Sequence, residues 1–551
     1  MPVRSLLALV LGLALGAAAA AQPRDRADPA AAARFRSHVA FLSDDLLEGR
    51  DSGTRGYDLA AAYVASQFER HGLRPGGDAG SWYQPVVLRT SSLGAAEPRV
   101  TISGPGGSRS WDNGTQVLVG PSLLEREQDV AARVVFVGYG IDARELGFDD
   151  YRGLDVRGKI VAVLQGAPLG TPSELGAHLN NEKAAMAAAR GAIGILTLPT
   201  DRSERAVPWD ARVRLADRET MIWLGKDGRP PVEARGLRFG VRLNGPAAET
   251  LFAGSRIPFA VIRAEAEREG FRPRGFALRT SLRLQRSSLW REVRSANVVG
   301  ILPGADPRLR NEYIVLTGHL DHLGMKPRST QGEDIVHNGA IDNAAGIATM
   351  LETARSFAQS GQRPRRSVLF VAVTAEEKGL LGSEYFAREP TVPVAGLAAA
   401  VNLDMPLLLY DFSDVIAFGA EHSTLGEAVE RAAASMGIRL SPDPMPEQSI
   451  FVRSDHYSFV KEGVPSIMLA TGFANGGEAK WKEFLDGNYH SVADEVDQPI
   501  DWNAAARFGR LNYLIAREIA DAPARPRWYR GDFFGEAFAP NAPKAPPPRR
   551  R

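Results

Sequence analysis

Apolar and polar positions change rhythm three times along the chain. From about Pro29 to Pro75 the rhythm is helical. Tyr57, Ala60, Val64 and Phe68 recur on one face, and the glycine-rich LLEGRDSGTRG between two such stretches reads as a loop. From about Val117 to Phe271 short β-type runs take over: RVVFVGYGI, GKIVAVLQG, AIGILTLP and IPFAVI. One small-residue helix, EKAAMAAARG, lies among them, and the spans from Leu169 to Asn180 and from Asp201 to Asp217 read as loops. From about Asn297 to Ala520 the apolar strands YIVLTG, SVLFVAVTA, AAAVNL and PSIMLAT alternate with amphipathic helices. Those helices start near Asn343, Ser383, Ser423, Asp455 and Trp502. Such alternation predicts an α/β fold with a mixed, mostly parallel central sheet flanked by helices. The end, from about Trp528, is proline-rich, closes in PPPRRR and reads as a disordered tail over 528–551.

The N-terminus has the grammar of an export signal. Arg4 supplies the positive charge, Leu6 to Gly16 the apolar core, and Ala19-Ala20-Ala21 a small-residue cleavage site, giving a signal peptide over 1–21. No later apolar run approaches the ~18–20 residues of a membrane span. The expectation is an exported protein, periplasmic or extracellular, with no stable membrane insertion once the signal is removed.

Composition narrows the chemistry. The 551 residues predict two to four domains, and 44% hydrophobic against 24% charged is ordinary for a globular chain. Lys plus Arg is 66 and Asp plus Glu 65, a net charge of +1, which argues against a nucleic-acid partner. There is no cysteine. A metal site must therefore use His, Asp and Glu, and a nucleophile must be Ser, Thr, a carboxylate or a bound water. Gly138, Gly140 and Ala143 match GxGxxA, but no amphipathic helix opens at that turn. Gly153, Gly158 and Lys159 have phosphate-loop spacing, but Ile160 stands where Ser or Thr is needed.

Three strands of the C-terminal half end in residues that a core would reject. YIVLTG runs into His319-Leu320-Asp321-His322, SVLFVAVTA into Glu376-Glu377, and AAAVNL into Asp404. In open α/β sheets ligands bind at the carboxyl ends of strands, so these groups share one edge. Asp342, at the mouth of a long amphipathic helix, and His490, in the loop NYHSVADEVD, can join them. Adjacent carboxylates such as Glu376 and Glu377 repel each other unless a cation or a proton intervenes. Oxygen and imidazole donors without sulfur suit zinc or another borderline divalent ion. Two metals ~3.5–4 Å apart need a bridging carboxylate, and a nearby carboxylate that is not a ligand must move the proton of the attacking water. The adjacent glutamates allow that division. Asp321, two residues beyond His319, can orient its imidazole from behind.

The runs GHLDHLG, NGAIDNAAG, EEKGLLGS, NLDM, SDHYSF and YHSVADEVD, in this order and spacing, resemble the M28 family of di-zinc metallopeptidases. LSDDLLEGRDSGTRG resembles the segment that precedes its catalytic domain. GYGI, VRGKIVAVLQG and AAARGAIGILTL resemble a protease-associated (PA) module. The resemblance implies a zinc-exopeptidase-like catalytic domain over 30–116 plus 275–525, with a β-rich PA-like insert over 117–274. It implies two Zn2+ ions per chain, other divalent metals being alternatives. His319, Asp342 and Asp404 would hold one, and Asp342, Glu377 and His490 the other. Glu376 would be the catalytic base acting on a metal-bridging water, with Asp321 the partner of His319. It also implies a cis peptide between Asp342 and Asn343. Asp455 and Tyr457 of SDHYSF are candidate substrate-binding residues. His322, His337, His422 and His456 are read as supporting or structural, and His38, His71 and His178 as surface or packing residues. The implied activity is hydrolysis of peptide or protein substrates, most simply by an aminopeptidase. A carboxypeptidase or dipeptidase of the same fold, a glutaminyl cyclase-like acyltransferase and a non-catalytic binding protein are the alternatives. Arg453 and Lys461 are candidate basic residues for the carboxypeptidase.

Overall fold

The computed structural model describes residues 28–216 and 219–548. The signal peptide expected over 1–21 lies outside them.

The apolar runs read as strands build a central sheet. Its heart is four parallel strands in the order Ser367–Val373, Tyr313–His319, Leu397–Asn402 and Ser466–Thr471. Every residue of Ser367–Val373 and Leu397–Asn402 is buried, as expected for strands covered on both faces. Antiparallel strands extend the sheet on both sides. Asp414–Phe418 pairs beyond Ser466–Thr471, and Phe276–Leu302 pairs beyond Ser367–Val373. The mixed sheet expected from the sequence is thus present, with parallel strands at its heart and antiparallel ones around them.

Helices cover both faces because their ends and apolar stripes fit. Asp28, Thr54 and Asp501 each accept hydrogen bonds from the first-turn amides of Pro29–Leu42, Arg55–Arg70 and Trp502–Asp521, satisfying donors the helix itself cannot. Tyr57, Ala60, Val64 and Phe68 form the predicted buried face of the second helix. The helix Gly346–Gln359 packs between the sheet and Trp502–Asp521.

A second sheet, with its own hydrophobic core, forms the insert. Its order is Gly107–Trp111, Arg99–Gly104, the first half of Phe276–Leu302, Glu127–Phe136, Ile160–Leu164, Gly194–Leu198, Phe239–Leu243 and Val117–Leu118. One 27-residue strand, Phe276–Leu302, therefore serves both sheets. The insert begins near Arg99 and ends near Ser287, not at 117 and 274. The strand Arg99–Gly104 is held by residues 281–285, far along the chain, which local patterning does not reveal. The insert is also more helical than expected. Leu169 to Asn180 leads into the helix Ser173–Asn181, and Asp201 to Asp217 holds the helices Asp201–Ala206 and Trp209–Ala216. IPFAVI opens the helix Phe259–Glu265, started by Pro258, despite its strand-like residues.

The expected disordered tail is a further correction over its described residues. Trp528 is 2% exposed, and its indole N–H donates to the Gly463 carbonyl at 2.8 Å. A short helix, Phe533–Phe538, follows, capped by Asp532. The aromatic side chains outweigh the proline-rich composition, and Phe533, Phe534 and Phe538 surround the ring of His178 from the insert.

The tail and the insert meet at His422. Its Nδ1 lies 2.6 Å from Asp532 Oδ2 and its Nε2 3.0 Å from Glu174 Oε2. Burial works against the charged ring, yet these carboxylates, with Glu421 nearby, push its pKa from 6.5 up to about 10. A raised histidine pKa contributes fully below its ordinary value and is lost as pH rises through the raised one. Limited proteolysis of residues 525–548 should therefore accelerate between pH 7 and about 10 in the wild type. In a His422→Gln variant, cleavage should be fast already at pH 7 and nearly flat over that range. A wild type as insensitive to pH as the variant would refute this.

Candidate metal centre

The strand order brings the candidate residues together. Tyr313–His319, Ser367–Val373 and Leu397–Asn402 run parallel and deliver His319, Glu376-Glu377 and Asp404 to one sheet edge. Ala375 and Met405 take left-handed φ values of 55° and 45°, so the chain turns sharply beside Glu376 and Asp404. Asp342 sits in an irregular turn, Ala340–Ala345, ahead of the helix Gly346–Gln359, and the peptide bond to Asn343 is cis. His490 follows the helix Gly477–Gly487 and stacks on Tyr489, with ring centroids 3.8 Å apart.

The distances divide the group into two halves around Asp342. Its Oδ1 lies 3.2 Å from His319 Nε2, which is also 3.2 Å from Asp404 Oδ1. Its Oδ2 lies 3.3 Å from His490 Nε2, which is 3.3 Å from Glu377 Oε2. Asp342 and His319 are buried, and His490 is about one-third exposed. His319, Asp342, Glu376, Glu377, Asp404 and His490 all line one cavity of about 560 Å³.

The electrostatics are those of a cage made for cations. Burial pushes the Glu376 carboxyl well above its usual range, and Asp455, Asp404 and Glu377 add to the shift. His319 is held well above 6.5 by Glu376, Asp404 and Asp342, although burial opposes the charge. Asp342 is held well below its usual range by His319 and His490, again against burial. Four carboxylates around two imidazoles leave an excess of negative charge out of water, which is costly unless a cation shares it. The donor set, imidazole nitrogens and carboxylate oxygens without sulfur, fits zinc.

A scaffold fixes these groups. The Asn343 amide donates to the Leu403 carbonyl at 2.9 Å, while its oxygen accepts from the Gly346 and Met405 amides. A Cβ on Gly346 would lie 2.0 Å from that oxygen, so the contact requires glycine. Asp494 accepts from the Ile341 and Asp342 amides at 3.0 and 2.9 Å. Asp404 accepts from Ser454. Sequence reasoning missed Asp494, Ser454 and Tyr489, although they sit in YHSVADEVD, in SDHYSF and beside His490. His322, fully buried, places Nδ1 2.7 Å from Glu377 Oε1.

Three expectations are corrected. The Asp321 carboxylate does not orient the His319 ring. It accepts from the Glu376 and Glu377 amides at 3.1 and 3.3 Å, and His319 Nδ1 instead meets the Asp321 backbone carbonyl at 3.1 Å. Tyr457 does not face the cavity. Its buried hydroxyl lies 2.6 Å from His178 Nδ1, so His178 is a docking residue rather than a mere packing one. Asp455 is fully buried and stands behind the lining, its pKa pushed up to about 7 by burial.

The chain has counterparts among known proteins. A "Probable zinc metalloprotease" of Pyrenophora teres f. teres is 38% identical over 114 residues, 20% of this chain and 23% of that protein. A "probable leucine aminopeptidase 2" of Aspergillus oryzae is 27% identical over 215 residues, 36% and 40% of the two chains. The chain thus spans less than half the length of either relative. The solved "Aminopeptidase from Aneurinibacillus sp. strain AM-1" aligns over 91% of this chain and 95% of its own, at 20% identity and a TM-score of 0.49. Residues 297–516 match the model of peptidase family M28. These residues carry the whole converging set of His319, Asp342, Glu376, Glu377, Asp404 and His490, so the candidate metal centre lies entirely within the segment that is similar to peptidase family M28.

Proposed function

We propose that this chain is an exported di-zinc aminopeptidase. The observation that carries the reading is the division of Asp342, whose two oxygens face different histidines. His319, Asp342 and Asp404 would hold one zinc, and Asp342, Glu377 and His490 the other. Zinc at such a site supplies a polarised carbonyl and a water of lowered pKa.

The remaining chemistry belongs to the chain. Glu376 is in the cavity wall with no metal role in this assignment. It takes a proton from the attacking water and returns it to the leaving amine, and its raised pKa suits both tasks. Asp321 anchors the Glu376-Glu377 turn through two amides, so one glutamate can face the metals while the other faces the water. Met405, Phe418, Ile450, Met468, Trp481 and Leu485 supply an apolar wall, favouring a large apolar residue at the cleaved end. The name of the Aspergillus relative supports the same reading. Export rests on the leader-like residues 1–21. Among the described residues, no helix is long and apolar enough to cross a membrane.

The carboxypeptidase reading keeps one supporting observation. Arg453 lines the cavity and could hold a terminal carboxylate. Lys461 cannot join it, being 3.5 Å from Glu233 and 4.0 Å from Glu384.

The test is a parallel assay of leucine-nitroanilide, its N-acetylated form, an N-acylated peptide and a peptide starting with Gln. Only substrates with a free amine should be cleaved at a useful rate, and cleavage of the acylated peptide from its C-terminus would favour the alternative. Chelation should abolish the activity and zinc restore it. Full activity in metal-depleted protein would refute the metal reading.

A further inference from the structure

The stretch 43–53, part of the LSDDLLEGRDSGTRG motif, takes no part in the mechanism above. It nevertheless lies directly behind the metal centre, and its backbone is bent to get there. Glu48, Gly49 and Arg50 take successive left-handed φ values of 51°, 68° and 51°. Residues other than glycine avoid this region unless the surroundings enforce it. A Cβ on Gly49 would lie 2.5 Å from the Gly324 carbonyl oxygen and 2.6 Å from that of His337, so the turn is pressed against the body.

The turn drives Arg50 inward until it is 1% exposed. A buried guanidinium usually pairs with a carboxylate. This one donates only to main-chain carbonyls among its hydrogen bonds: Leu320 at 3.0 Å, Asn338 at 2.7 Å, Gly339 at 3.1 Å, and Leu42. Leu320 lies between His319 and Asp321. Gly339 opens the turn that carries Asp342. A single planar fork therefore ties two ligand-bearing segments to each other. Neighbours of Arg50 extend the tie. Ser52 Oγ accepts from the Ala375 amide at 2.9 Å and from Thr374 Oγ1 at 3.1 Å, just ahead of Glu376. Asp51 pairs with Lys378 at 2.9 Å, just beyond Glu377. Asn338 donates back to the Ser43 carbonyl and to Asp45.

We propose that Arg50 is a positioning residue of the metal centre. Through the Leu320 and Gly339 carbonyls it sets the spacing between His319 and Asp342, and Ser52 does the same for the Glu376-Glu377 turn. The proposal rests on the di-metal reading. The donors of Arg50 go to the loops that carry the ligands rather than to the ligands themselves, while its charge is felt by Asp494, Asp321 and Asp342.

Zinc affinity of the chelator-stripped protein, read by competition with a chromophoric chelator, tests this without any assay of activity. Arg50→Lys keeps the charge but loses the fork. It should weaken zinc binding about 10–100-fold, the range for partners that orient ligands, and Ser52→Ala should weaken it less. Arg366→Lys is the control. Arg366 is another fully buried arginine, donating to Glu312 and to the Ile519 and Ala522 carbonyls away from the site. It should lower thermal stability while leaving zinc affinity intact. Wild-type affinity in Arg50→Lys, or an equal loss in Arg366→Lys, would overturn the proposal. If Arg50→Lys does not fold, unchanged affinity in Ser52→Ala overturns it. A wild type that binds no zinc would instead bring down the di-metal reading itself.

Discussion

Glu376→Gln should lower kcat by roughly 10²–10⁴-fold, the range for losing a general acid–base, while metal content stays at the wild-type value. Gln keeps the size of the side chain and its place in the cavity wall, and the Asp321 carboxylate still holds the amide of residue 376. What disappears is the ability to accept a proton and release it. The wild-type carboxyl is suited to that cycle because burial and three neighbouring carboxylates raise its affinity for a proton. Metal analysis of the same sample makes the result decisive. Glu376 lies close enough to His319 and Glu377 to be a ligand itself. If the metal content of the variant fell by half, the two glutamates would have exchanged roles.

Asp342→Ala should have the larger effect on binding, because one side chain serves both halves of the site. Metal affinity should fall by more than the ~10–100-fold that accompanies loss of an orienting partner, and it should fall for both ions together. Asp404→Ala and His490→Ala each touch one half only, so each should leave one ion bound. Isothermal titration of zinc into the three stripped variants separates these outcomes. One ion retained at wild-type affinity in Asp342→Ala would mean that its two oxygens do not bridge.

Much of this centre was legible in the sequence because its logic is local. A strand buried on both faces must be apolar throughout, so a polar residue at its end stands out, as His319, Glu376 and Asp404 do. Parallel strands then bring those ends together without further information. What the sequence hid depends on direction and on distant partners. Whether Asp321 offers its carboxylate or its carbonyl to His319 is decided by the turn geometry, and both are two residues from the ring. Tyr457 belongs to a short helix, His456–Lys461, whose rotation aims its hydroxyl at the insert. The edge of the insert was obscured because Phe276–Leu302 continues unbroken from one sheet into the other. The tail was misread because proline and arginine dominate its composition, while a few aromatic rings dominate its burial.

The shared strand has a consequence for how such a molecule can be dismantled. Leu93 and Ser288 face each other across an antiparallel pair, so the insert leaves the body and returns to it at one rung. A tight turn spliced between those two residues would close a simple hairpin and excise the whole module without rethreading anything. The cut would not be clean, however. It would remove the strand Thr220–Leu224, which covers the outer rim of Tyr83–Leu93. That rim would then stand open to water and to any passing extended chain, so the trimmed body would tend to self-associate edge to edge.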